Sequence, residues 1–145
     1  MYVLTSLDDI AWLFNLRADD VESCPVLLSY AAVTETESYL FAGEEAFSEE
    51  IREYLAKNHI ILRPYDSFYD FVAARGKENK EEKILVCKNR INYRLIKELP
   101  GERLIDSANP TTRMKAVKNE TEQENLRKAH LMDGIAVTRF MYWLK

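Results

Sequence analysis

Apolar positions along the chain change period several times, and each change predicts an element. Leu7, Ile10, Ala11 and Phe14 fall at i, i+3, i+4 and i+7, with Ser6 placed to cap an amphipathic helix. Residues 18–24 are polar and predict a loop. Residues 25–33, PVLLSYAAV, are almost continuously apolar and predict a strand buried on both faces. The polar tetrad 34–37 predicts a turn, and SYLFA at 38–42 a returning strand, so the two form a hairpin. Ser48 then caps a helix with Ile51, Tyr54 and Leu55 on one face. Residues 59–65 predict a strand stopped by Pro64. Ser67 is placed to cap a helix that points Phe68, Phe71 and Val72 inward and ends at Gly76. The charged run 77–83 predicts a loop or a frayed helix end. Residues 83–87 read as a short core strand. Ile91, Leu95, Ile96 and Leu99 mark a helix closed by Pro100-Gly101, and 103–106 a last strand. Strands alternating with helices predict an α/β fold, a mixed sheet with helices on both faces.

The end of the chain behaves differently. Asn109-Pro110 opens a turn, 111–117 read as one or two helical turns, and Asn119 with Glu122 forms a capping box. From there only Gly134 interrupts the helical pattern, and no Gly, Asn or Pro closes it. The helix would be roughly 39 Å long at 1.5 Å per residue. It carries two apolar stripes: Leu126, Ala129, Met132, Ala136, Phe140 and Trp143 on one side, Leu131, Ile135 and Tyr142 on the other. A surface helix carries one such face, so opposed faces imply a helix sandwiched between layers. The expected division is a domain at 1–110, then a junction and the first helix of a further domain at 111–145. The chain is expected to be a piece of a larger protein.

Composition narrows the function classes. The 145 residues carry a net charge of −4, which argues against nucleic acid as the main partner. No apolar run approaches the roughly 20 residues that cross a bilayer, and MYVLTSLDDI lacks the plan of a signal peptide. Cys24 and Cys87 are far apart and are expected to be buried thiols in a reducing, cytoplasmic compartment, with a disulfide or a catalytic thiol as alternatives. His59 and His130 have no partner at metal-ligand spacing and read as structural. GxSxG, GxxxxGK[ST], GxGxxG and HExxH are all absent. Asp8-Asp9 suits the first turn of a helix, where carboxylates favour the dipole, and Asp19-Asp20 a solvated loop. The aromatic residues fall on core faces. The most function-like segment is Asn15-Leu16-Arg17, where a helix gives way to a loop. An arginine there could hold a carboxylate bidentately, the alternative being a salt bridge to Asp19 or Asp20.

Two segments carry a resemblance. LDDIAWLFNLRADD, followed by the strand opening on Pro25 and the SYLF return, resembles the middle domain of the three-domain aminopeptidase P enzymes, the Xaa-Pro aminopeptidases. NPTTRMKAVKNETEQENLRKAHLMDGIAVTRFMYWLK resembles the junction into their catalytic domain. Ala18 departs from the glycine usual in the family after the arginine. The resemblance implies a creatinase/prolidase N-terminal-like, ribonuclease H-like domain ahead of a pita-bread catalytic domain. That domain would hold two divalent metal ions, manganese by expectation, through Asp, His and Glu side chains beyond Lys145. No catalytic residue and no metal ligand is then expected here, and His130 matches a helix position, not a metal-binding histidine. The implied partners are a peptide with proline in second position, the remaining domains of the parent chain and a second copy in a homodimer, with no membrane. The implied role is to shape the substrate cleft and support assembly, with Asn15 and Arg17 facing the cleft. The alternative is a peptide- or protein-binding module of a catalytically inactive pita-bread relative. A ribonuclease H-like nuclease would need clustered carboxylates at strand ends, and only Asp106 ends a strand that way.

Overall fold

A computed structural model describes residues 1–78 and 80–145. The chain divides into two units, Met1–Thr112 and Arg113–Lys145.

The first unit is built on one six-stranded sheet in the order β4-β3-β2-β1-β5-β6. The strands are β1 (Tyr2–Leu4), β2 (Tyr30–Val33), β3 (Ser38–Ala42), β4 (Ile60–Pro64), β5 (Ile84–Val86) and β6 (Leu104–Asp106). β2 runs antiparallel to both its neighbours, and the β3–β4, β1–β5 and β5–β6 pairs are parallel. All strands but β2 therefore share one direction, and their carboxyl ends lie along one edge of the sheet. Helices α1 (Leu7–Leu13), α2 (Glu49–Lys57), α3 (Phe68–Glu78) and α4 (Tyr93–Glu98) supply the outer layers.

Alternation along the strands builds two cores, one on each face. Leu4, Ala31, Leu40 and Ala42 pack with Ile10 and Phe14 of the α1 region and Leu55 of α2. Val3, Ala32, Tyr39 and Phe41 pack with Phe68 and Val72 of α3 and Leu95 of α4. Successive residues point to opposite faces of a strand, so a sheet covered on both sides needs the continuous apolar runs seen in the sequence. Phe68 is fully buried. Its ring stacks on Tyr30 at 4.2 Å and meets Phe41 at 5.2 Å.

Several expected boundaries move. The strand expected over 25–33 begins only at Tyr30, because its ladder ends where Tyr30 opposes Phe41 near the end of β3. Residues 25–29 bond locally instead, with the Leu28 amide donating to Asp20 Oδ2 at 2.7 Å. β1 was not expected: three residues are too few to show a period, yet it lies inside the sheet between β2 and β5. Ser48 caps α2 as expected, accepting from the Ile51 amide. Ser67 does not cap α3. It lies in a 3₁₀ turn and its hydroxyl donates to the Pro64 carbonyl at 2.6 Å. Helix α3 continues past Gly76 to Glu78, since Gly76 has no positive φ to end it. The Gly76 carbonyl accepts from the buried Arg103 guanidinium. Asn79, inside the run expected as a loop or frayed helix end, lies outside the described residues. Helix α4 is capped by Asn92, whose side chain accepts from the Leu95 amide at 3.1 Å.

Helix α5 (Pro110–Ala116) follows, and the second unit is dominated by α6 (Glu120–Leu144). The capping box forms in full: the Glu122 amide donates to Asn119 Oδ1, and the Asn119 amide to Glu122 Oε2, both at 2.9 Å. No residue of α6 is buried. Between Ile135 and Leu144 only Thr138 and Arg139 are polar, so this stretch is apolar nearly all round.

Candidate functional site

The Asn15-Leu16-Arg17 segment is a built helix stop. Asn15 adopts φ 51°, the left-handed conformation that asparagine tolerates better than other non-glycine residues. The Leu16 amide turns back to the Ala11 carbonyl at 3.0 Å, and the Asn15 amide to Trp12 at 3.3 Å. These are the paired bonds of a Schellman motif, with Leu16 buried as its apolar anchor. Arg17 Nη1 donates to the carbonyls of Ala11 and Leu16, each at 2.7 Å. The Tyr54 hydroxyl of α2 donates to the Phe14 carbonyl at 3.1 Å. The expected alternative, a salt bridge from Arg17 to Asp19 or Asp20, does not form. Asp20 accepts the Leu28 amide instead, and the guanidinium is drawn to carbonyls at the negative end of the helix dipole. Asn15 and Arg17 are both exposed, and Arg17 Nε and Nη2 have no protein partner among the described residues.

The backbone at position 15 makes a direct prediction. Asn15→Val should lower stability by about 1–2 kcal/mol, the cost of a left-handed conformation for a side chain with a branched Cβ. Asn15→Gly should be neutral within a few tenths of a kcal/mol. Urea midpoints of the three proteins compare them, and equal midpoints for valine and asparagine would rule the strained stop out.

From Arg17 the chain runs through a loop held by a single bridge between Val21 and Cys24, with Ser23 at φ 60°, and returns to the sheet at Tyr30. Cys24 is exposed and Cys87 half-buried, and both are free thiols. The expectation of two buried thiols is thus corrected: Cys24 sits in the turn, short of the strand that would have covered it.

A second polar assembly, at the carboxyl ends of β1, β5 and β6, had no forewarning in the sequence. Asp9 is fully buried and accepts from Asn109 Nδ2 at 2.8 Å. The same nitrogen lies 3.2 Å from Ser6 Oγ. Arg90 Nη1 stands 3.7 Å from Asp8 and 3.8 Å from Asp9, and the Thr5 hydroxyl donates to the Arg90 carbonyl at 2.6 Å. Asp9 thus does more than favour the α1 dipole: it ties α1 to the segment leading into Pro110. Tyr2, nearby in β1, is pushed up to about 12 mainly by burial. Asp106 ends β6 as expected and accepts from the Lys88 amide at 3.1 Å.

His130 Nδ1 hydrogen-bonds with the Leu126 carbonyl at 2.8 Å on exposed α6. His59 follows α2 in the left-handed region, at φ 56°. Among the described residues no group of three His, Cys, Asp or Glu side chains could hold a metal ion, so a dinuclear centre does not fit this set of donors. No helix is long and apolar enough to cross a membrane.

A mixed sheet with helices on both faces defines an α/β domain. The chain belongs to the creatinase/prolidase N-terminal domain family, whose profile matches residues 1–122. Its relatives include proteins named probable Xaa-Pro aminopeptidase P. That of Pyrenophora tritici-repentis is 38% identical over 152 residues, covering 99% of this chain and 25% of the relative. That of Sordaria macrospora is 38% identical over 151 residues, with the same coverage. The crystal structure of X-prolyl aminopeptidase from Caenorhabditis elegans, a cytosolic enzyme with a di-nuclear active site, superposes with a TM-score of 0.86 at 28% identity. It too is matched over 99% of this chain and 24% of its own. The chain therefore spans about a quarter of the length of these relatives.

Proposed function

We propose that this chain is a noncatalytic domain of a metal-dependent Xaa-Pro aminopeptidase, shaping the substrate cleft and supporting assembly. The observation that carries this reading is the match along the whole chain to one quarter of such enzymes. In this reading residues 1–110 are the supporting domain, and 111–145 the junction and first helix of the pita-bread catalytic domain. The apolar girth of α6 supports it, because a helix that is apolar all round belongs inside a protein. The parent enzyme would hold two divalent metal ions, manganese by preference, on residues outside this chain. It would act in the cytoplasm, as a homodimer, on peptides with proline in second position. When bound, the metals supply an activated water and stabilise the oxyanion. This chain's part is to position and exclude. The Schellman stop holds Asn15 and Arg17 on the surface, and the free face of the Arg17 guanidinium is suited to a peptide carboxylate or carbonyl.

Two measurements test this. The chain alone, given manganese and a Gly-Pro-Pro peptide, should release no glycine; release abolished by a chelator would overturn the claim that the centre lies elsewhere. In the full-length parent, Arg17→Ala should raise KM for longer peptides about three- to tenfold with kcat nearly constant, the pattern of lost uniform binding. An unchanged KM would remove Arg17 from the cleft.

A further inference from the structure

The carboxyl ends of β3 and β4, far along the sheet from Asp9 and Asn109, carry a recess that the aminopeptidase reading does not use. A cavity of about 390 Å³ is lined by Asp20, Leu27, Leu28, Gly43, Glu45, Ala46 and Tyr65. A second hollow of about 320 Å³ shares Gly43, Glu45 and Tyr65, and adds Glu44 and Asp66. The floor is apolar, and Leu28 is left 48% exposed. The Tyr65 ring is held in place by stacking on Tyr30 at 5.0 Å. The charged residues that line it are all acidic, with the Arg52 guanidinium beside them, donating to the Glu44 carbonyl. None of Asp20, Glu44, Glu45 and Asp66 forms an ion pair among the described residues. Glu45 folds inward: a Cβ added to Gly43 would lie 2.9 Å from its Oε1.

We propose that this recess is a docking site for an arginine-bearing peptide segment of a partner protein. The chemistry selects the occupant. An apolar floor with an aromatic wall accepts a methylene stem, and carboxylates at the mouth without ion-pair partners among the described residues accept a charged head. Arginine fits better than lysine because its planar guanidinium stacks on a ring and forks onto a carboxylate. The molecule already shows that geometry elsewhere, with the Arg94 guanidinium 4.1 Å from the centre of the Tyr69 ring. The volume is near the lower end of the roughly 300–1,000 Å³ usual for ligand pockets, which suits one or two residues of an extended segment. The site belongs to the first unit alone and needs no catalytic domain.

The test uses the full chain, labelled with ¹⁵N, and the capped peptide acetyl-Leu-Arg-Leu-amide. Amide shifts should move at Leu27, Leu28, Gly43 and Ala46 and leave α4 and α6 unmoved. Glu45→Gln, an exposed substitution that leaves the fold intact, should weaken binding about two- to fivefold, the share of one exposed charge pair. Added salt should weaken it further. The peptide with glutamine in place of arginine should bind at least fivefold more weakly. Equal binding by the glutamine peptide, shifts centred elsewhere, or no shift at several millimolar peptide overturns the proposal. So does concentration-dependent broadening confined to these amides without peptide, which would make the occupant a second copy of this chain. Because no turnover is read, failure here leaves the aminopeptidase assignment untouched.

Discussion

Phe68→Ala is expected to destabilise the Met1–Thr112 unit by about 3–5 kcal/mol, the range for removing a fully buried phenylalanine. Phe68 begins α3 and touches two strands at once, lying flat against Tyr30 and edge-on to Phe41. Its neighbours are themselves rings in contact: Tyr30 with Tyr65 and Tyr69, Phe41 with Phe71. Flat rings fixed by one another cannot fold inward to fill the space of a third, so the cavity persists and its cost adds to the lost transfer energy. A domain of this size has about 5–15 kcal/mol in all, so the variant should be close to unfolded at room temperature. Urea denaturation followed by far-ultraviolet circular dichroism reads the midpoint and slope. Phe68→Leu keeps most of the volume and separates cavity from ring stacking; it should recover more than half of the loss. A loss below about 1.5 kcal/mol for the alanine variant would show that the aromatic cluster closes over the gap, contrary to this account.

How much of this was legible beforehand depended on the range of the interaction. The capping box at Asn119 and Glu122 and the cap at Ser48 are local and were read correctly from spacing. So were the helix at Leu7–Leu13 and the two-sided burial of the hairpin, because periodicity reports which faces are covered. The helix stop was located but its mechanism was not: Asn15 is a residue type that closes helices in the left-handed region, a signal present but not used, while the arginine folded back on carbonyls leaves no trace in residue order. β1 was missed because its stability comes from strands at both sides and not from its own three residues. The buried bond between Asp9 and Asn109 spans 100 residues, and nothing in either neighbourhood announces it. The acidic recess is assembled from three separate segments around Asp20, Gly43 and Tyr65, so only the fold brings it together. β1, the Asp9–Asn109 bond and the recess are products of tertiary pairing, which propensity and spacing do not encode.

Cutting the chain after Lys118 is expected to abolish its binding of a hydrophobic dye and any self-association, while leaving the first unit's melting transition in place. Along α6, Phe140, Met141, Tyr142, Trp143 and Leu144 are each more than half exposed, Trp143 at 76% and Tyr142 at 83%. Contiguous apolar surface of that extent marks a contact face or an aggregation liability. The helix itself is sound, with its capping box and a Lys128–Glu124 pair at 2.7 Å, so its apolar girth is displayed in ordered form. The full chain should therefore enhance anilinonaphthalene sulfonate fluorescence severalfold over the shortened one and sediment as more than a monomer at tens of micromolar. Trp143→Glu with Ile135→Glu should reproduce the shortened behaviour without removing the helix, because the two residues lie on opposite stripes and a charge on each prevents a dry contact on either side. The melting transition of the first unit should be the same in all three proteins, since its two cores are drawn entirely from residues before Arg103 except for Leu104 at the margin. A full-length chain that stays monomeric and dark to the dye would mean that α6 is already covered, and the proposal that α6 is the first helix of a catalytic domain would lose its physical basis.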